Sequence, residues 1–143
     1  MGEYNHTIDA KGRVTIPAKF RCELGDHFVV TRGLANCLSA YSYERWQKIE
    51  ENLSKISLTN KSGMKLTRII LGNAIECEVD KMGRILITQT LRSKANLDKE
   101  VVLIGLGDRI EIWNKDAWAE VNSEDAFDNM SDEELDALEG IEL

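Results

Sequence analysis

The 143-residue sequence has one proline, three cysteines, two histidines and an aromatic share of 6%. Cys22, Cys37 and Cys77 are odd in number, widely spaced and never in a CxxC pair. They read as buried thiols in a reducing compartment, which makes the cytoplasm the expected location. His6 and His27 have no second His or Cys at ligand spacing, so neither a metal nor a cofactor is expected. GxSxG, GxxxxGK[ST] and HExxH are all missing, and a base catalyst also needs a partner to orient it. No catalytic residue is therefore expected. Gly105-Leu106-Gly107-Asp108 lacks the third glycine of a phosphate loop and precedes a strand, so it reads as a hairpin turn.

Long apolar runs are missing too, and the opening MGEYNHTID has neither a basic segment nor an apolar core, so export and membrane insertion are not expected. His6 stands where a myristoylation signal needs Ser or Thr. A composition of 43% hydrophobic and 30% charged residues excludes disorder over the whole length. The last absence is the most telling. Residues 119 to 143 contain ten acids and no Lys or Arg, so the net charge of −7 divides into a tail of −10 and a body of +3. An acidic average argues against nucleic acid only where charge is spread evenly.

What is present is an internal repeat. DAKGRVTIPAKFR at residues 9–21 and DKMGRILITQTLR at residues 80–92 share Asp9/Asp80, Gly12/Gly83, Arg13/Arg84, Ile16/Ile87 and Arg21/Arg92 at an offset of 71. Further on an offset of 72 aligns Val29-Val30 with Val101-Val102, Gly33 with Gly105, Tyr41 with Trp113 and Trp46 with Trp118. One Asp-x-x-Gly turn proves nothing, but the same turn followed by matching strands and aromatics implies duplication.

Each copy parses as strand, turn, strand, short helix and two further strands. Ile75, Cys77 and Val79 alternate with Glu76 and Glu78, the pattern of a half-buried strand. Asp80 to Gly83 is the turn, Arg84 to Ile87 a strand, and Thr88 caps a short helix that includes Leu91. Tyr4 to Ile8, Asp9 to Gly12 and Arg13 to Ile16 do the same in the first copy, where Pro17 opens a helix that Gly25 closes. The later strands are His27 to Arg32 with Cys37 to Tyr41, and Glu100 to Ile104 with Arg109 to Trp113. Between the copies, Trp46, Ile49, Leu53 and Ile56 form one helical stripe capped by Ser42, and a second helix runs from Ser62 to Leu71. A last helix begins after Asn114. A unit of about 45 residues without disulfide or metal rarely stands alone, so the copies should share one core about an approximate two-fold axis.

The basic residues gather at the repeated turns: Lys11, Arg13, Lys19 and Arg21 in the first copy, Lys81, Arg84, Arg92 and Lys94 in the second. Cations at a turn approach phosphates with little desolvation, an Arg beside a Gly turn can reach guanine bidentately, and a two-stranded ribbon fits the major groove. The plainer reading is that Asp9 pairs with Arg13, and Asp80 with Arg84, across their own turns. The two readings are compatible.

At these residues the sequence resembles the MraZ family of bacterial transcriptional regulators, built from two SpoVT/AbrB swapped-hairpin modules. The likeness lies in GEYNHTIDAKGRVTIPAKFR (2–21), VVTRGLANCLSAY (29–41), ECEVDKMGR (76–84) and RIEIWNKDAW (109–118), with both DxxxR motifs intact. It implies a mainly β fold with short helices, in the α+β class: a duplicated swapped-hairpin AbrB-like barrel with pseudo-two-fold symmetry and a helical connector. The corresponding division is residues 3–46 and 74–118 for the modules, 47–73 for the connector and 119–143 for the acidic tail. The resemblance further implies a cytoplasmic, nucleoid-associated repressor of its own division and cell-wall operon. Such a protein assembles into homo-oligomeric rings on repeated promoter boxes of double-stranded DNA. Lys11 and Arg13 are then the foremost DNA contacts, Lys81 and Arg84 their counterparts, and Asp9, Gly12, Asp80 and Gly83 the turn-formers. Met82 stands opposite Lys11, which makes the first motif the better reader. The rival expectation is an antitoxin-like protein-interaction module, which the acidic tail favours.

Overall fold

The computed structural model describes residues 1–142. Along the chain run β1 (Gly2–Thr7), β2 (Arg13–Thr15), α1 (Ala18–Leu24), β3 (His27–Arg32) and β4 (Leu38–Ser42), then α2 (Tyr43–Ser54) and α3 (Lys61–Gly72). The order then repeats as β5 (Ile75–Glu78), β6 (Arg84–Leu86), α4 (Gln89–Lys94), β7 (Glu100–Gly105), β8 (Ile110–Asn114) and α5 (Lys115–Val121), followed by α6 (Asp132–Ala137). The fold is α+β, with antiparallel sheets and short helices.

Local chemistry sets the element ends. Pro17, at φ −52°, leads into α1 with no side-chain cap, whereas Thr88 begins α4 by accepting from the Leu91 amide at 3.3 Å. A preset dihedral and a side-chain hydrogen bond do the same task in the two copies. After these helices the chain turns through Gly25 at φ +83° and Asn96 at φ +52°, counterparts in the repeat. Ser42 caps α2 by accepting from Arg45, and Asn114 caps α5 by accepting from Asp116 and Ala117. The second connector helix starts one residue before the expected Ser62, because Asn60 caps it by accepting from the Gly63 amide at 2.9 Å.

The strands do not pair within their own copies alone. A six-stranded antiparallel sheet has the order β1-β7-β8-β4-β3-β5, and β2 pairs with β6 as a separate ribbon. Between β1 and β2 there is only the bridge Ile8↔Val14. The first strand of each copy instead joins the third strand of the other, β1 with β7 and β5 with β3. Exchanging the copies reverses the sheet order onto itself. At its centre Ser39 pairs with Glu111, its own counterpart, so the pseudo-two-fold axis passes between them.

The register corrects one part of the repeat. The Ile8 amide donates to the Lys99 carbonyl, and the Val79 amide donates to that of Asp26. This makes Asp26 the counterpart of Lys99, at an offset of 73 rather than 72. Val29 accordingly matches Val102, not Val101, since Val29 pairs with Tyr41 and Val102 with Trp113. The second copy gains two residues after its short helix and loses one in the next hairpin, which restores 72 at Tyr41/Trp113.

Burial follows the corrected register. Phe28, Val30, Val101 and Leu103 face one core with Val14, Ile16, Phe20, Ile85, Ile87 and Leu91. Sheet and ribbon thus pack over a single shared interior as two separate sheets, not as the one closed barrel expected. Val102, Ile104 and Trp113 lie on the opposite face with Cys37, packed by Ala117 and Trp118 of α5. Trp46 and Leu53 are buried along the expected stripe of α2, with Ile49 and Ile56 half-buried. Cys37 and Cys77 are buried, but Cys22 is exposed. Its helix turns Phe20 and Leu24 inward at a spacing of four, which leaves the residue midway between them facing out.

Candidate nucleic-acid interface

The two turns are built by one carboxylate each. Asp9 Oδ1 accepts from the backbone amides of Lys11 and Arg13, both at 2.9 Å. Asp80 Oδ1 accepts from those of Met82 and Arg84, also at 2.9 Å. Gly12 donates its amide to the Asp9 carbonyl and Gly83 to that of Asp80, both at 3.0 Å. The amides of Arg13 and Arg84 hold both carboxyls below the usual 3.8, with further help from the Lys11 and Met82 amides and the arginine charges. With the turn amides satisfied by Asp, the side chains at Lys11, Lys81 and Met82 are left exposed.

Both turns need glycine. Gly12 has φ +89° and Gly83 φ +79°. A Cβ on Gly12 would lie 2.8 Å from the Ile87 carbonyl oxygen and 3.1 Å from the guanidinium carbon of Arg92. A Cβ on Gly83 would lie 3.3 Å from that of Arg21. Each turn is thus packed against an arginine from the short helix of the opposite copy. The Nε atoms of Arg21 and Arg92 are buried without a hydrogen-bond partner among the described residues. Carbonyls complete the interlock: Gly83 accepts from Ile16 at 2.8 Å and Gly12 from Ile87 at 2.9 Å.

The ribbon orders the functional side chains by alternation. Val14 and Ile85 point into the core, which puts Arg13, Thr15, Arg84 and Leu86 on the other face. Arg13 and Arg84 therefore share one outward surface, flanked by Lys11 and Lys81. They differ in their partners. Arg84 Nε donates to Asp80 Oδ2 at 3.1 Å, and its Nη1 lies 3.8 Å from Asp9 Oδ2. The guanidinium of Arg13 makes neither an ion pair nor a hydrogen bond among the described residues. The expected pair across the turn is thus present in the second copy and not in the first, where Asp9 holds the Arg13 backbone instead.

The turn-forming Asp and Gly residues stand where the repeat puts them, and the four basic residues are brought to one region. Two features lay outside that reading: the reach of Arg84 to the other copy's aspartate, and the bracing by Arg21 and Arg92. The bracing had a signal, since Arg21 and Arg92 match at the same offset as the turns. Elsewhere, Gly105 to Ile110 forms the expected hairpin, with Leu106 donating to the Arg109 carbonyl at 2.9 Å. His27 lies 3.2 Å from the Tyr43 hydroxyl, at the β3–β5 edge. No group of three or more metal-binding side chains occurs among the described residues, and no helix is long and apolar enough to cross a membrane.

Comparison with known proteins agrees with the repeat. The family model for the MraZ protein, described as antitoxin-like, matches this chain twice, over residues 1–69 and 70–139. Transcriptional regulator MraZ of Thermoanaerobacter pseudethanolicus is 53% identical over 140 residues, covering 96% of this chain and 97% of that one. The regulator of the same name from Caldanaerobacter subterraneus is 56% identical over 120 residues, 84% of each chain. That of Lactobacillus johnsonii is 48% identical over 141 residues, 97% of this chain and 98% of its own. One model fitting both halves, and relatives alike over nearly their full length, make this chain a member of the MraZ family.

Proposed function

We propose that the protein is a sequence-specific DNA-binding transcriptional regulator that represses its own division and cell-wall operon from repeated promoter boxes. The observation that carries this reading is the ribbon face: two turns of identical backbone hydrogen bonding present Lys11, Arg13, Lys81 and Arg84 on one surface. The lysines suit phosphates as exposed point charges, and the free Arg13 fork suits the O6 and N7 edge of guanine. Residues 3–46 and 74–118 act as one reading unit, with 47–73 as connector and 119–143 held away from the DNA. The protein works without a cofactor and without catalysis, at the nucleoid in the cytoplasm.

Charge supports a multimeric binder. A body of +3 makes few phosphate contacts, so a single subunit binds weakly. Several subunits in a ring, each on one box, gain roughly 10²- to 10⁴-fold through effective concentration. A second reading is an antitoxin-like module that holds another protein, favoured by the acidic tail, whose helix α6 is capped reciprocally by Ser131 and Glu134.

The deciding experiment is binding of the purified chain to DNA from upstream of its own gene, against a scrambled duplex, across a salt series. Affinity should fall steeply with salt, and Arg13→Ala should abolish the preference for the promoter. Equal affinity for promoter and scrambled DNA in the parent chain would overturn the proposal. Parent-like preference in Arg13→Ala would overturn the assignment of the reading turn.

A further inference from the structure

The two DxxxR arginines are sequence counterparts, yet their guanidinium groups have different surroundings. Arg84 engages Asp80 through Nε at 3.1 Å and approaches Asp9 through Nη1 at 3.8 Å, with its side chain 29% exposed. Two of its three nitrogens are directed at carboxylates, one on each turn. The symmetric contact, Arg13 to Asp80, is not made. A bidentate contact to guanine needs two N–H donors free on one edge. Arg13 has both edges of its guanidinium free of hydrogen bonds among the described residues, whereas Arg84 commits its Nε edge to Asp80 and brings Nη1 within 3.8 Å of Asp9. Each turn carries one lysine, but at different positions: Lys11 lies two residues before Arg13, whereas Lys81 lies three before Arg84 and Met82 takes the place of Lys11.

We infer that Arg84 is a positioning residue, a clamp that ties Asp80 to Asp9 across the pseudo-two-fold axis and fixes the spacing of the two turns, so that Arg13 alone presents its fork to a base. This rests on the proposed DNA-binding function and divides its labour. The two carboxylates have matching double tasks: Oδ1 folds each turn and Oδ2 receives the clamp. Lysine is no substitute, because its three donors radiate from one nitrogen and do not reproduce the fixed separation of Nε and Nη1 in the planar guanidinium.

Asp80→Asn separates the two tasks. The amide oxygen still accepts from Met82 and Arg84 backbones, whereas the amide nitrogen cannot accept from Arg84 Nε. In promoter and scrambled-DNA titrations over a salt series, Arg84→Ala, Arg84→Lys and Asp80→Asn should each lower the promoter preference about tenfold. The Arg84→Ala, Asp80→Asn double variant should lose no more than either single, and Arg84→Ala should keep the parent salt slope. A slope shallower by about 0.9 in Arg84→Ala would mean that this arginine neutralises a phosphate, and would overturn the clamp. So would an intact preference in Asp80→Asn beside a lost one in Arg84→Ala. A measurement without DNA keeps the inference separate from the function it rests on. In the free protein, the Arg84 Nε–H should exchange with water more slowly than that of Arg13, and lose this protection in Asp80→Asn. Equal exchange in the parent chain would overturn the clamp whatever the DNA result.

Discussion

Val14 pairs with Ile85 across the β2–β6 ribbon, and the two residues are also each other's counterparts in the repeat. The axis that runs between Ser39 and Glu111 in the large sheet therefore leaves the molecule through the ribbon between Val14 and Ile85. Both side chains are 1% exposed, so each copy supplies half of the packing at its own symmetry axis.

The two copies should consequently unfold together. Ile85→Ala should cost about 2–5 kcal/mol, and denaturant curves read by circular dichroism and by tryptophan fluorescence should still superimpose. Trp46 reports on the first copy and Trp113 and Trp118 on the second. Separate transitions from the two probes would show that the halves are independent.

Acid should weaken the turns. Asp9 and Asp80 are held below the ordinary 3.8 in the folded chain, so their contribution is complete above the unfolded value and is lost as pH falls through the folded one. Thermal melts between about pH 5 and pH 2.5 should fall less steeply for the Asp9→Asn, Asp80→Asn double variant than for the parent. Parallel profiles would place the acid sensitivity elsewhere.

Glycine at the turn and glycine at the hairpin should respond differently to alanine. Gly12 and Gly107 both have positive φ, at +89° and +91°, but only Gly12 faces a neighbouring carbonyl at 2.8 Å, while nothing lies within 4 Å of a Cβ on Gly107. Gly107→Ala should cost about 1–2 kcal/mol for backbone conformation alone. Gly12→Ala should cost about 1–3 kcal/mol more, read as a shift in denaturation midpoint at constant slope.

The thiols should divide one to two. Burial pushes those of Cys37 and Cys77 up to about 12, while Cys22 is exposed on α1. A chromogenic disulfide reagent near pH 8 should titrate one thiol rapidly in the native chain and three in denaturant. Cys22→Ser should remove the rapid phase.

Removing residues 122–143 should leave promoter binding intact or strengthen it. Nine of the ten tail acids go with this segment, and α6 is exposed along its length. A large loss of affinity would tie the tail to assembly or to the fold.

Much of this was readable from residue patterns because the governing interactions are local. Alternation of Ile75, Cys77 and Val79 with Glu76 and Glu78 placed β5, and Ser42, Thr88 and Asn114 marked helix starts through hydrogen bonds spanning two or three residues. The repeat placed Asp9 and Asp80 because one carboxylate folds its own turn. The offset of Val29 was misread because Val-Val occurs in both copies and a one-residue slip still aligns valine with valine; only cross-strand register reveals which faces the core. Residue type alone points Cys22 inward, whereas the face of α1 set by Phe20 and Leu24 turns it out to solvent. The Arg84 clamp was hidden for a different reason. Equivalent positions suggest equivalent contacts, and nothing in the pattern says which of two matched arginines takes a shared pair of carboxylates.

The exchange of β1 and β5 between copies makes this single chain the covalent equivalent of a strand-swapped homodimer. A true homodimer presents two identical turns and is matched to palindromic DNA. Fusion lifts that constraint: one turn is free to keep Lys11 and an unpaired Arg13 while the other becomes a brace. On the proposed DNA-binding function, such a subunit would have a head and a tail on the duplex, and the sequence it would fit would read differently in its two directions.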